Sequence, residues 1–179
     1  MSEELVTSHD PLPPLSAFVM SLRLQGADYW YAILIDVPDI DDDPAYCHGA
    51  GLPLYRDRDA LLADLGADGI PVGDGWGRNV DVDRARTLIR YEMSRDDIDE
   101  VITAWNALDD LTAALGRRLD FHGALANKVY DKLFWGLNLP AVTPAGKWYI
   151  PLWRPKERAK MDQVLRECGA KVSASMEAR

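Results

Sequence analysis

The sequence is poor in the residues that most often announce a chemistry. It holds two cysteines, Cys47 and Cys168, with no Cys-x-x-Cys spacing, and three histidines, His9, His48 and His122, none at helical ligand spacing from another. Such a set specifies no zinc site, and thiols so far apart read as reduced. Neither a metal nor a cofactor is expected. No apolar run nears the roughly 18 residues of a membrane span, and the Met-Ser-Glu-Glu start lacks the basic-then-apolar layout of a secretory signal. These absences favour a cytoplasmic, reducing setting. Glycine-rich phosphate cradles are also missing: Gly73-x-Gly75-x-Gly77 is followed by no Lys-Ser/Thr pair and reads as a turn or mobile loop.

Basic residues are scarce where acids are dense. Up to Val80, fourteen Asp and Glu stand against only Arg23, Arg56, Arg58 and Arg78, whereas beyond Arg117 bases predominate. A net charge of -9 disfavours broad contact with phosphate backbones or anionic lipid, so neither nucleic acid nor a membrane is the expected partner. A basic protein is. The remaining composition, 47% hydrophobic and 27% charged, is that of a globular chain, and 179 residues suffice for one domain with a sizeable core.

The pattern along the chain predicts a single α+β domain over residues 15–170, with flexible segments at 1–14 and 171–179. Phe18, Met20, Leu22 and Leu24 alternate with Ser21 and Arg23, the period of a half-buried strand, and a turn at Gln25–Asp28 leads into the aromatic and branched stretch 29–37. An antiparallel sheet started by this N-terminal hairpin, packed against three or four helices, is the expected architecture. A short helix over 57–65 places Leu61, Leu62 and Leu65 on one stripe and stops at Gly66. A strand near Ile70–Val72 follows. The longest helix runs from Arg95 to about Leu115, opened by Ser94 as N-cap with Asp97 three residues on, and its apolar face repeats through Ile98, Val101, Ile102, Trp105, Leu108, Leu111 and Leu115. Further helices are predicted over 123–134 and 155–168, the last opening on Pro155, with a short strand at Lys147–Leu152 between them.

Asp36, Asp39, Asp41, Asp42 and Asp43, with Pro38 and Pro44, are too crowded with like charge for regular pairing and read as an exposed loop. Three roles stand open for it: a solvated loop, a cation site, or a contact region that receives a partner's Arg and Lys groups. The EF-hand's central glycine and twelfth-position glutamate are missing. Asp74 and Trp76 extend the candidate contact surface, Trp76 as an exposed anchor. Cys47-His48 places a thiol beside an imidazole, but sequence neighbours diverge, so a Cys47 nucleophile would need His122 from elsewhere; Asp74 beside Trp76 is the carboxylate alternative. Residues 130–153 gather Tyr130, Phe134, Trp135, Trp148, Tyr149 and Trp153. Such rings either anchor a binding surface or close the core, and the core role is expected for most of them.

Leu54-Tyr55-Arg56-Asp57-Arg58-Asp59-Ala60-Leu61 at a helix start, Trp105-Asn106 inside a long helix, and the segment from Tyr130 to Pro144 after it carry a resemblance over residues 50–155. In that order of elements the chain resembles the immunity proteins of bacterial polymorphic toxin systems. The resemblance assigns no catalytic position and implies a small acidic cytosolic protein that binds one cognate toxin domain and blocks its active site or substrate groove. A toxin acting on nucleic acid is commonly basic, and an acidic loop suits its phosphate-binding cleft. Alternatives of other classes are a small-molecule enzyme using Cys47 or a carboxylate, and a structural subunit that self-associates through the aromatic segment.

Overall fold

The computed structural model describes residues 16–35, 44–48, 53–73, 79–116 and 123–177. Strands β1 (Ser16–Leu24) and β2 (Ala27–Ile35) form an antiparallel hairpin in the register Leu24↔Ala27 to Ser16↔Ile35. Its two-residue loop puts both Gln25 (φ 52) and Gly26 (φ 75) in the left-handed region, as a turn that follows the right-handed twist of its strands requires. Asp83 fixes this loop by accepting from the backbone N–H of Gln25 and of Gly26, at 3.0 and 2.7 Å.

Helix α1 (Arg58–Ala67) crosses back to β3 (Asn79–Asp81), which pairs with β1 in parallel. The sheet is therefore mixed, in the order β2-β1-β3, and not antiparallel as expected. A three-residue strand carries too little alternation to declare its direction. The predicted strand at Ile70–Val72 is reduced to a single bridge between Val72 and Ala17. With α2 (Val82–Leu88), α3 (Arg95–Ala114), α4 (Ala124–Gly136) and α5 (Pro155–Glu177) the described residues hold five helices, not the three or four expected, α5 continuing well beyond Cys168.

Both faces of the hairpin are covered. Leu22, Leu24, Tyr29 and Tyr31 enter the main core, whereas Ala17, Val19 and Ala32 pack with Tyr46, Leu61 and Leu65 beneath α1. Burial on two sides explains why both residue parities of β1 are apolar at its N-terminal end. The main core is organised around α3, which buries Ile98, Val101, Ile102, Trp105, Leu108 and Leu111. Ser94 and Asp97 exchange the two hydrogen bonds of a capping box at its start. Helix α5 presses Met161, Val164, Leu165, Cys168 and Val172 into the same core. Its Gly169 permits a close approach to the hairpin, since a Cβ there would stand 2.9 Å from Leu24 Cδ1.

Candidate partner-binding surface

Between Asp131 and Glu157 the chain carries no acid at all, while Lys132, Lys147, Arg154 and Lys156 fall within that interval. Here the structure departs most from the expected strand at Lys147–Leu152. Among the described residues the segment after α4 pairs with no strand, yet over residues 148–152 the degree of exposure alternates as in an extended chain, with Tyr149 at 38% and Pro151 buried between more exposed neighbours. Trp148, Ile150 and Leu152 are 74%, 79% and 82% exposed, and Pro151 between them is buried. Large apolar side chains displayed at period two form a strip, and a contiguous apolar strip is the kind of surface that marks a contact site.

The segment is held at three points, so the strip is presented on a supported backbone. Asn138, in the left-handed conformation that asparagine tolerates (φ 48), takes the Tyr149 N–H on its Oδ1 at 2.7 Å and donates to the Tyr149 carbonyl at 3.0 Å. This side-chain amide substitutes for a neighbouring strand. Pro151 sits in a notch at Gly136: a Cβ on that glycine would meet Ile98 Cδ1 at 2.9 Å and Pro151 Cγ at 3.2 Å. Lys132 supplies the third point, donating to the Leu152 carbonyl at 2.6 Å and to Glu157 at 2.7 Å, with its ammonium 5.1 Å from the Trp153 ring centre.

Glu157 is only 2% exposed. Burial raises its pKa, but the Arg154 backbone N–H, the Lys132 hydrogen bond and the charges of Lys132 and Lys128 outweigh that and hold the carboxyl below its ordinary value. An ionised, buried glutamate thus joins the start of α5 to the end of the strip. Among the aromatic residues expected in the core, Trp105 is buried and Tyr130, Phe134 and Trp153 pack against the main cluster. Trp135, Trp148 and Tyr149 are exposed instead. The sequence did carry a signal for the strip, the alternation at 148, 150 and 152 inside an acid-free interval; the aromatic count alone pointed inward.

A second polar group lies at the end of α1. The Asp68 carboxylate accepts from the Tyr46 hydroxyl at 2.6 Å and meets His48 Nδ1 at 3.0 Å, while Tyr55 donates to Asp64 at 2.8 Å. The imidazole pKa is raised, first by its hydrogen bond to Asp68 and then by the charges of Asp68 and Asp64. Cys47 lies between Tyr46 and His48 in sequence, but burial raises its pKa, and its thiol reaches the Ala45 carbonyl at 3.9 Å. A thiol kept neutral in this way lacks the activation that a nucleophile needs. Nothing in the local pattern linked His48 to Asp68, because the two lie twenty positions apart and are brought together by the fold.

The residues expected to form the acidic contact surface, Asp36, Asp39, Asp41, Asp42, Asp43, Asp74 and Trp76, all lie outside the described residues, as does His122, the proposed partner of Cys47. Among the described residues no group of three or more His, Cys, Asp or Glu is placed to hold a metal ion, and no helix is long and apolar enough to cross a membrane. No known protein family, curated protein or solved structure matches the chain.

Proposed function

We propose that this chain is a non-enzymatic protein-binding inhibitor, an immunity-type protein that neutralises a bacterial toxin domain. One observation carries the reading: Trp148, Ile150 and Leu152 are held outward on a segment pinned by Asn138, Pro151 and Lys132. Exposing three large apolar side chains on a fixed backbone costs solubility and gains nothing for the fold, whereas such anchors supply the centre of a protein interface. The acid-rich half, with Asp36, Asp39, Asp41, Asp42, Asp43 and Asp74, provides attraction for a basic domain, and Trp76 a further anchor. The neutral Cys47 thiol weighs against the enzymatic alternative.

The test is binding to the terminal domain of a toxin encoded beside this chain, followed by surface plasmon resonance. Replacing Ile150 with Asp places a charge in the apolar contact and should quicken dissociation by about tenfold or more. Reversing Asp41, Asp42 and Asp43 to Lys should mainly slow association at low salt. If the toxin domain binds both variants as it binds the parent chain, neither surface is the contact and the reading fails.

A further inference from the structure

The backbone of the strip has a free edge with an internal symmetry. In an extended chain the N–H and C=O of one residue point to the same side, and those of its neighbours to the other. Tyr149 spends both groups on Asn138, which in an extended chain leaves those of Trp148 and Ile150 to the opposite side, and among the described residues neither makes a backbone hydrogen bond. The edge stops there. Lys147 is tied by its N–H to the Pro144 carbonyl at 3.0 Å, and the Leu152 carbonyl is taken by Lys132. What remains is a two-residue edge centred on Tyr149, too short to template an open stack of strands but self-complementary under a two-fold axis.

We infer that this edge closes on a second copy of the same chain, as an antiparallel pair with Trp148 opposite the partner's Ile150 and Ile150 opposite the partner's Trp148. The pairing makes four backbone hydrogen bonds and sets indole beside branched aliphatic on one face, a favourable cross-strand combination. Pro151 does not interfere, because its missing N–H belongs to the inward side. No acid lies between Lys132 and Lys156, so the charges that the pairing brings together are like charges; in this register Lys147 faces Pro151 of the partner. The two Lys147 ammonium groups then stand four strand positions apart, about 13 Å, beyond the screening length of about 8 Å at physiological ionic strength. Trp148, Ile150 and Leu152 offer roughly 500 Å² per copy against the roughly 800 Å² of a standard interface, so the dimer is weak, with dissociation in the micromolar range or above.

This inference rests on the strip as a contact surface but not on the toxin as its occupant. Sedimentation equilibrium of the full chain from about 1 to about 1,000 μM covers the expected range. The mass should rise from 20.0 kDa towards twice that value, without larger species. Ile150→Pro keeps an apolar residue but deletes one edge N–H per copy, and should weaken the dimer about tenfold or more; Ile150→Val should not. The Trp148 and Ile150 amides should gain hydrogen-exchange protection only at concentrations where the mass rises. A constant 20.0 kDa, open-ended growth, or an Ile150→Pro variant that dimerises like the parent each overturns self-pairing. A monomer that still captures the toxin domain removes only this inference, and failure to capture it at concentrations where the mass stays at 20.0 kDa removes only the functional reading.

Discussion

Asp68 receives two donors in the space of one carboxylate oxygen, Tyr46 at 2.6 Å and His48 at 3.0 Å, and the arrangement makes stability depend on pH from both sides. His48 is raised above its ordinary 6.5, so the protonated imidazole contributes fully below that value and its contribution is lost as pH climbs through the higher folded pKa. Asp68 is held below its ordinary 3.8, first by the Tyr46 hydroxyl and then by His48; its contribution is present above 3.8 and lost as pH falls through the lower folded value. The pair therefore supports the fold best between those limits. Both groups are solvent-accessible, so the effect is a modest slope. The urea midpoint should decline between about pH 6 and about pH 8, and His48→Gln should flatten that decline. An unchanged slope in the variant would assign the pH dependence to other groups.

At the scale of elements, the start of α5 depends on one carboxylate. Glu157 accepts from the Arg154 N–H at 2.9 Å, as a helix start requires, and from Lys132 at 2.7 Å, which in turn holds the strip. Truncation to Ala removes the buried carboxylate that pairs with the part-buried Lys132 ammonium and should cost about 3 kcal/mol, measured by chemical denaturation. Glu157→Gln, which keeps the shape and one acceptor, should cost less, and amide exchange at Arg154, whose N–H donates to Glu157, should quicken most in the Ala variant. Equal stability of Glu157→Ala and the parent would mean that Lys132 and the helix start find water as good a partner. None of this was legible in the sequence, where Glu157 looked like any first-turn acid after Pro155. Helix α3 was fully legible, because Ser94, Asp97 and seven apolar positions at three- and four-residue steps all require the same helix. The Lys147–Leu152 strand was half legible: its alternation is real, but pairing depends on a neighbour, and here the neighbour is a single asparagine.

Over the whole molecule the charge is arranged in two regimes, fourteen acids against four bases up to Val80 and none against four from Lys132 to Lys156. Patterning of this kind was readable from the sequence, but its meaning was not, because the acids expected to make contact lie outside the described residues while the exposed apolar strip lies in the acid-free interval. The two regimes give salt opposite effects on the two proposed encounters. A chain of net charge -9 repels its own copy at long range, and screening that repulsion leaves the apolar, hydrogen-bonded strip contact intact. Self-association should therefore tighten as sodium chloride rises from about 0.05 to about 0.5 M. Capture of a basic toxin domain is steered by attraction, and its association rate should fall several-fold over the same interval. Sedimentation and stopped-flow measurements on one preparation test both. A dimer that dissociates with salt would mean that ion pairs, not the Trp148–Ile150 edge, join the copies; a salt-independent association rate would mean that the acidic half plays no part in finding the toxin.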